Sequence, residues 1–221
     1  MIKMAKKKVF VTALAVCLVA IISMGTLAWF NASDEVTNKF LIVASDQGGT
    51  PNFKVDVWEN DPDDPTVKVQ DGVTYSDIAP GDVLAKNPTI ENLGDYDQWI
   101  RVYVTFDEWA TIKAGCEAHG ITTDLRTWLD VDSNAWYADD SGTTEANNSI
   151  TYLYYYRYKL TTDDAAQTVV LFNNVTIPGE FEQEDMRFVS DDFSIKVKAE
   201  ALQADNTGND VRSAFATYWG R

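Results

Sequence analysis

Cys116 and His119 are the side chains whose spacing could bind a metal ion or form a nucleophile and base pair. A catalytic zinc ion normally needs three protein ligands, mostly histidine, and an open water position. His119 is the single histidine of the chain, and the sequence contains no His-Glu-x-x-His motif. The serines lie in no nucleophile-elbow motif. The sequence therefore predicts a protein that is not an enzyme and has no catalytic cofactor.

A second candidate site is a short acidic stretch. Asp130, Asp132 and Asn134 match the first three ligand positions of an EF-hand calcium loop. Ala135 stands where that loop needs glycine, and Ser141 stands where it needs a bidentate glutamate. We therefore expect an ordinary acidic loop here, with calcium binding as the alternative.

Trp136 and Tyr137 lie in the stretch 133–150, whose Gly, Asn and Asp content predicts a surface loop. Exposed aromatic rings can stack on sugars, so these two residues are candidates for a glycan site. The other aromatic residues mostly follow the period of the predicted strands, where they are expected in the core or in cross-strand pairs. A carbohydrate-binding surface module is therefore one alternative function.

Residues 1–28 have the layout of a secretory signal peptide: a lysine-rich head, an apolar run and small residues at the end. Cleavage is predicted between Ala28 and Trp29, because Thr26 and Ala28 are small at the positions that a signal peptidase reads. An uncleaved membrane anchor is the alternative, since the apolar run through Phe30 is long enough to span a bilayer.

The charge of the chain limits its partners. It has 18 Lys+Arg against 34 Asp+Glu, a formal net charge of −16. The mature chain 29–221 is more acidic still, because all the charged residues of the leader are lysines. Nucleic acid and anionic membranes bind clustered Lys and Arg, so neither is predicted as a partner after cleavage. Cleavage also leaves Cys116 as the one cysteine, which excludes an intramolecular disulfide.

Alternation of apolar and polar residues predicts a single antiparallel all-β domain over residues 29–221. The clearest strand is 98–106, with Ile100, Val102, Val104 and Phe106 on one face. Further strands are predicted at 37–44, 53–59, 67–69, 152–160, 169–178 and 193–203. Helical periodicity appears over 107–130, as a short insertion between strands, and over 210–219. The expected fold is a sandwich or jelly roll.

Four motifs, in matching order, resemble the TasA/camelysin family. The first spans the predicted cleavage site, from Gly25 to Asn31 and from Asp34 to Phe40. The second is the region with the turns Pro80-Gly81-Asp82 and Asn92-Leu93-Gly94, the third is the tyrosine-rich stretch 152–160, and the fourth is the last strand, 193–203. They cover nearly the whole chain.

This resemblance implies a jelly-roll-like protein of Gram-positive bacteria that is exported with the help of a SipW-type signal peptidase. It implies a subunit of biofilm-matrix or cell-surface fibres, polymerised with itself or with related matrix subunits. The implied mechanism is strand addition, in which segment 29–44 completes the sheet of the next subunit. Its contact residues would be Trp29, Phe30, Phe40 and Ile42. Pairing of this segment within its own sandwich is the alternative, and a camelysin-like surface metalloprotease is a further alternative function.

Overall fold

A computed structural model describes the fold of most of the chain after the leader. The described residues are 31–36, 52–70, 72–73, 75, 78–190 and 193–218, with 31–36 and 189–190 described by their backbone only. The predicted signal peptide and cleavage site (Ala28, Trp29), the contact residues Phe30, Phe40 and Ile42, and the predicted strand 37–44 lie outside the described residues.

The described part contains eleven strands and three α-helices. The strands are β1 (Asn31–Val36), β2 (Val55–Asn60), β3 (Lys68–Val69), β4 (Val83–Ala85), β5 (Thr89–Asn92), β6 (Gln98–Phe106), β7 (Trp136–Ala146), β8 (Ser149–Tyr156), β9 (Thr168–Val170), β10 (Asn174–Thr176) and β11 (Ile195–Gln203). The helices are α1 (Trp109–His119), α2 (Arg187–Ser190) and α3 (Val211–Tyr218), with a 3-10 helix at Leu125–Trp128.

The strands form a five-stranded sheet in the order β1-β11-β6-β8-β7, a four-stranded sheet in the order β3-β2-β5-β9, and the pair β4-β10. Neighbouring strands are antiparallel in all three. The predicted all-β antiparallel sandwich is thereby confirmed.

The two larger sheets pack face to face through one continuous apolar core. Strand β6 contributes Ile100, Val102, Val104 and Phe106, all fully buried, as its alternation predicts. They share a cluster with Val55, Val57 and Ile90 of the four-stranded sheet and with Tyr152 and Tyr154 of β8. Each such side chain contributes about 1.5–3 kcal/mol by leaving water, so this face holds the sheets together.

The insertion between β6 and β7 is helical where the sequence predicts short helices. Helix α1 buries Trp109, Ile112 and Cys116, and the 3-10 helix buries Leu125 and Trp128. Helix α1 ends at Gly120 (φ 66°), whose N–H bonds to carbonyls of the last turn. A positive φ at this position suits glycine.

The outer face of the five-stranded sheet carries a second, smaller apolar cluster. Helix α3 places Val211 and Phe215 against Trp99, Tyr155 and Leu202 of the sheet. The prediction of an amphipathic C-terminal helix is confirmed.

The prediction of a surface loop over 133–150 is wrong, because most of this stretch forms β7 and the start of β8. Its turn residues Asn147 and Asn148 both have positive φ, 51° and 60°, the conformation of a tight hairpin turn. Strand β7 has a neighbour on one side only and exposes many polar side chains. An edge strand with that composition is easily mistaken for a loop.

Candidate functional site

Strand β1 forms one edge of the five-stranded sheet. It pairs with β11 without a register shift, from Asn31 opposite Leu202 to Val36 opposite Val197. Its first residue follows the predicted cleavage site by only a few positions. Within the described residues of this chain, the start of the predicted donor segment therefore pairs with its own sandwich, and without it β11 would be the edge.

Strand β11 pairs with β6 along its whole length, and the two strands also share a buried ion pair. Arg101 of β6 and Glu200 of β11 stand opposite each other, and the distance from Arg101 Nη2 to Glu200 Oε2 is 2.7 Å with both side chains more than nine-tenths buried. Lys198 Nζ lies 3.0 Å from the other Glu200 oxygen. Removing one partner of a buried pair leaves an uncompensated charge, so the strand that receives β1 is sensitive to loss of either residue.

A cavity of about 470 Å³ lies on the outer face of the same sheet. Its floor comes from Tyr103 of β6 and Leu153 of β8, with Arg101 and Tyr155 towards α3. Arg212 and Ser213 of α3 form one wall, and Asp139, Ser141 and Thr144 of β7 form the other. Strand register alone brings Asp139, Leu153 and Tyr103 side by side.

The wall on β7 is shaped by an irregularity in that strand. The pairing of β7 with β8 shifts between Asp139 and Thr144, as at a β-bulge. Gly142 lies in this interval, and a Cβ there would meet Leu153 Cδ2 at 2.5 Å and Cβ at 2.6 Å. The close approach of the bulge to the cavity floor therefore requires glycine.

The polar groups at the cavity differ in their hydrogen bonds and charge partners. Asp139 Oδ1 accepts hydrogen bonds from the Ser141 N–H (3.0 Å) and hydroxyl (2.7 Å). The Arg212 guanidinium lies 4.5 Å from the ring centre of Tyr137, and it forms no ion pair with the described residues. The sequence does not predict Arg101, Arg212 and Asp139 as site residues, because no short motif links them.

Cys116 and His119 both lie near Asp185, but the thiol is buried and the imidazole is partly exposed. The Cys116 thiol is fully buried, and burial together with the nearby Asp185 carboxylate raises its pKa to about 11. His119 Nε2 lies 2.7 Å from Asp185 Oδ2. Hydrogen bonds from the Glu182 N–H and from His119 hold the pKa of Asp185 below its usual range. Among the described residues, no group of three His, Cys, Asp or Glu side chains is arranged to hold a metal ion.

The calcium candidates belong to two hydrogen-bond arrangements. The Asp130 carboxylate accepts the backbone N–H groups of Asn173 (2.6 Å) and Asn174 (2.8 Å) and the Asn174 side-chain amide (2.9 Å). Asp132 accepts the backbone and side-chain N–H groups of Asn134. Asp130 thus joins the end of the insertion to β10, while Asp132 and Asn134 form a local turn.

The two glycan candidates, Trp136 and Tyr137, lie in different environments. Trp136 is 1% exposed, its indole N–H donates to the Val170 carbonyl at 2.9 Å, and it therefore offers no ring face to a sugar. The expectation of an exposed Trp136 is wrong, since this residue anchors β7 to β9 of the other sheet. Tyr137 is partly exposed but lies beneath the guanidinium groups of Arg157 and Arg212.

Comparison of the chain with protein-family models, with curated proteins and with solved structures finds no match. The fold itself defines the class of protein, an antiparallel all-β sandwich with helices at its periphery. Within the described ranges, no helix is long and apolar enough to span a membrane.

Proposed function

We propose that this chain is a secreted structural subunit of extracellular-matrix or surface fibres, similar to TasA/camelysin proteins, that assembles by β-strand addition. The observation that carries the proposal is the position of β1. The segment that follows the predicted cleavage site is an edge strand, attached by pairing along one side to β11. A second copy of the same segment can make the same backbone hydrogen bonds with β11.

The connection between β1 and β2 permits this exchange. Residues 37–54 can span up to about 60 Å when extended, which is enough for β1 to reach a neighbouring subunit while β2 stays in its own sheet. The bonds within and between chains are equivalent, so their balance depends on concentration and on release of the N-terminus by a SipW-type peptidase. A head-to-tail contact that does not close on itself propagates into a filament.

The same proposal gives the chain a structural and not an enzymatic role, with itself or related matrix subunits as partners. The burial of Cys116 and the pairing of His119 with Asp185 support it, because neither group is placed as a free nucleophile or ligand. Metal-dependent proteolysis by the pure protein, lost in His119→Ala, would instead favour the metalloprotease alternative.

Cysteine trapping in mixed chains tests strand addition directly. Position 35 of β1 lies opposite Lys198 of β11, so Glu35→Cys and Lys198→Cys are introduced separately into the mature chain 29–221, and the two variants are mixed and oxidised. Directly opposite positions suit a disulfide, and we expect covalent dimers that contain both variants, identified by mass spectrometry. The buried Cys116 does not compete.

The matched control pairs Glu35→Cys with Lys196→Cys, two residues out of register, and should give far fewer mixed dimers. A chain carrying both Glu35→Cys and Lys198→Cys reports pairing within one molecule. Filaments in electron micrographs without mixed cross-links would refute strand addition, as would assembly by a chain that lacks residues 29–44.

A further inference from the structure

The cavity on the outer face of the five-stranded sheet is a different feature from the β1 edge, and its chemistry points to a ligand. Adjacent strands place three of its residues in one row, with Asp139 of the β7 wall opposite Leu153 of β8 and Leu153 opposite Tyr103 of β6. Helix α3 covers the neighbouring row, where Phe215 packs on Tyr155. The row of Tyr103 is left as the floor of an open pocket whose volume is in the range of small-molecule sites.

The charge at the pocket is opposite to that of the chain as a whole. The formal net charge is −16, yet the side chains that line the pocket include two arginines, Arg101 and Arg212, against one acid, Asp139. Arg212 forms no salt bridge with another described side chain, and its charge acts on Asp210, whose pKa is lowered by hydrogen bonds from Ser213 and, to a smaller extent, by Arg212. Stacking on Tyr137 orients its guanidinium at the rim. A guanidinium held in this way is suited to bind a carboxylate through paired hydrogen bonds.

The opposite wall is suited to hydroxyl groups. Asp139 Oδ1 is occupied by Ser141, and Asp139 Oδ2 accepts no hydrogen bond from the residues that the structure describes. The Thr144 hydroxyl lines the same wall. A free carboxylate oxygen would repel a simple anion but can accept a hydrogen bond from a sugar hydroxyl. The Tyr103 ring and the Leu153 side chain supply apolar surface for the C–H face of a sugar ring.

We infer that this pocket binds an acidic sugar, a pyranose ring that carries a carboxylate. The carboxylate pairs with Arg212, the ring hydroxyls bond to Asp139 and Thr144, and the ring lies on Tyr103 and Leu153. A neutral sugar leaves Arg212 without a partner, and a simple carboxylic acid leaves Asp139 without one. The inference does not depend on assembly by strand addition, because none of these residues belongs to β1 or β11.

Calorimetric titration of the mature chain tests it, with galacturonate and a short oligogalacturonate as probes and galactose and acetate as comparison ligands. We expect saturable binding of the uronates and at least about tenfold weaker binding of galactose and acetate, the difference that one charge-assisted hydrogen-bonding group supplies. Absence of saturable uronate binding, or equal binding of galactose or acetate, would overturn the inference.

Two variants locate the site. Arg212→Gln should weaken uronate binding at least about tenfold, and the exposed position of Arg212 leaves the fold intact, which thermal unfolding checks. Asp139→Asn should weaken binding of the uronate but not of acetate. The control is Arg187→Gln, at an exposed arginine outside this pocket, which should leave affinity unchanged. Unchanged affinity in Arg212→Gln, with the fold intact, would contradict the assignment.

Discussion

Strands β1 and β7 form the two edges of the same sheet, and they are attached in different ways. Strand β7 joins β8 through a two-residue turn at Asn147 and Asn148, so its pairing closes a very short loop. Strand β1 pairs with β11, at the opposite end of the chain. Closing a long loop costs more entropy than closing a short one, so β1 is the edge that is more easily released and replaced.

The two edges also differ in their capacity to accept another strand. Strand β7 is interrupted by the register shift between Asp139 and Thr144, and irregular edges oppose pairing with further strands. Acidic residues do not explain the difference, because β1 contains Asp34 and Glu35 in its own sequence. Strand β1 differs from β7 because its pairing is regular and because its partner strand is far away along the chain. Both features suit β1 to exchange.

The largest effect is expected from removing the buried ion pair on β11, the strand that pairs with β1. Glu200→Ala removes the carboxylate that faces the buried Arg101 guanidinium, and we expect a loss of about 3–5 kcal/mol in the free energy of unfolding. Glu145→Ala on β7 removes an exposed contact with Lys113 at 3.9 Å and should cost less than about 1 kcal/mol. Urea unfolding measures both, and similar losses would contradict the importance of the buried pair.

The second prediction concerns the bulge of β7. Gly142→Ala places a methyl group within 2.6 Å of Leu153, and overpacking of this kind costs about 1–3 kcal/mol. Gly179→Ala is the matched control, since its Cβ would lie 3.7 Å from the nearest atom, an ordinary contact. Thermal unfolding of the two variants should separate them; equal stability would show that the bulge moves freely.

A smaller effect is expected at the turn that closes β7 and β8. The Asn148 side chain accepts the Ala110 N–H at 2.8 Å, so it also caps the start of α1. Asn148→Ala should cost about 1–2 kcal/mol and Asn147→Ala less, because the described contacts of Asn147 include no such cap. Chemical denaturation monitored by circular dichroism compares them. The reverse order of stability would show that the cap is unimportant.

The smallest effect is a pH dependence at the end of β6. Burial opposes ionisation of Asp107, but hydrogen bonds from Lys196, Ser194 and Ser149 outweigh it and hold its pKa below the usual range. The resulting stabilisation is present above the unfolded value of about 3.9 and is lost as the pH falls through the lower folded value. The unfolding midpoint should fall less between pH 5 and pH 2 in Asp107→Asn than in the native chain. Equal slopes would exclude this role.

The elements that sequence predicted best are those with a strong local period. The alternation in 98–106 and the helical face of 210–219 each bury the predicted residues, such as Val102 and Phe215. The predicted strand 169–178 instead divides into β9 and β10, which belong to different sheets. Leu171 and Phe172 are both buried between them, and two consecutive apolar residues carry no signal for a crossing between layers.

The candidate sites were less predictable, because their residues come from distant parts of the chain. Trp136 looked exposed in a polar stretch, but its environment is set by Val170 on another strand. His119 looked like a partner of Cys116, yet Asp185 is the residue that binds it. Side-chain type alone does not reveal such partners.

The sequence by itself determined the β-type alternation, the acidic charge and the amphipathic C-terminal helix, because these depend on residues that are close together in the chain. Tertiary structure alone decided that β1 lies beside β11, that Arg101 meets Glu200, and that Arg212 faces the same pocket as Asp139. These arrangements depend on strand order and register. Both are set by packing between segments far apart in sequence, for which no local pattern exists.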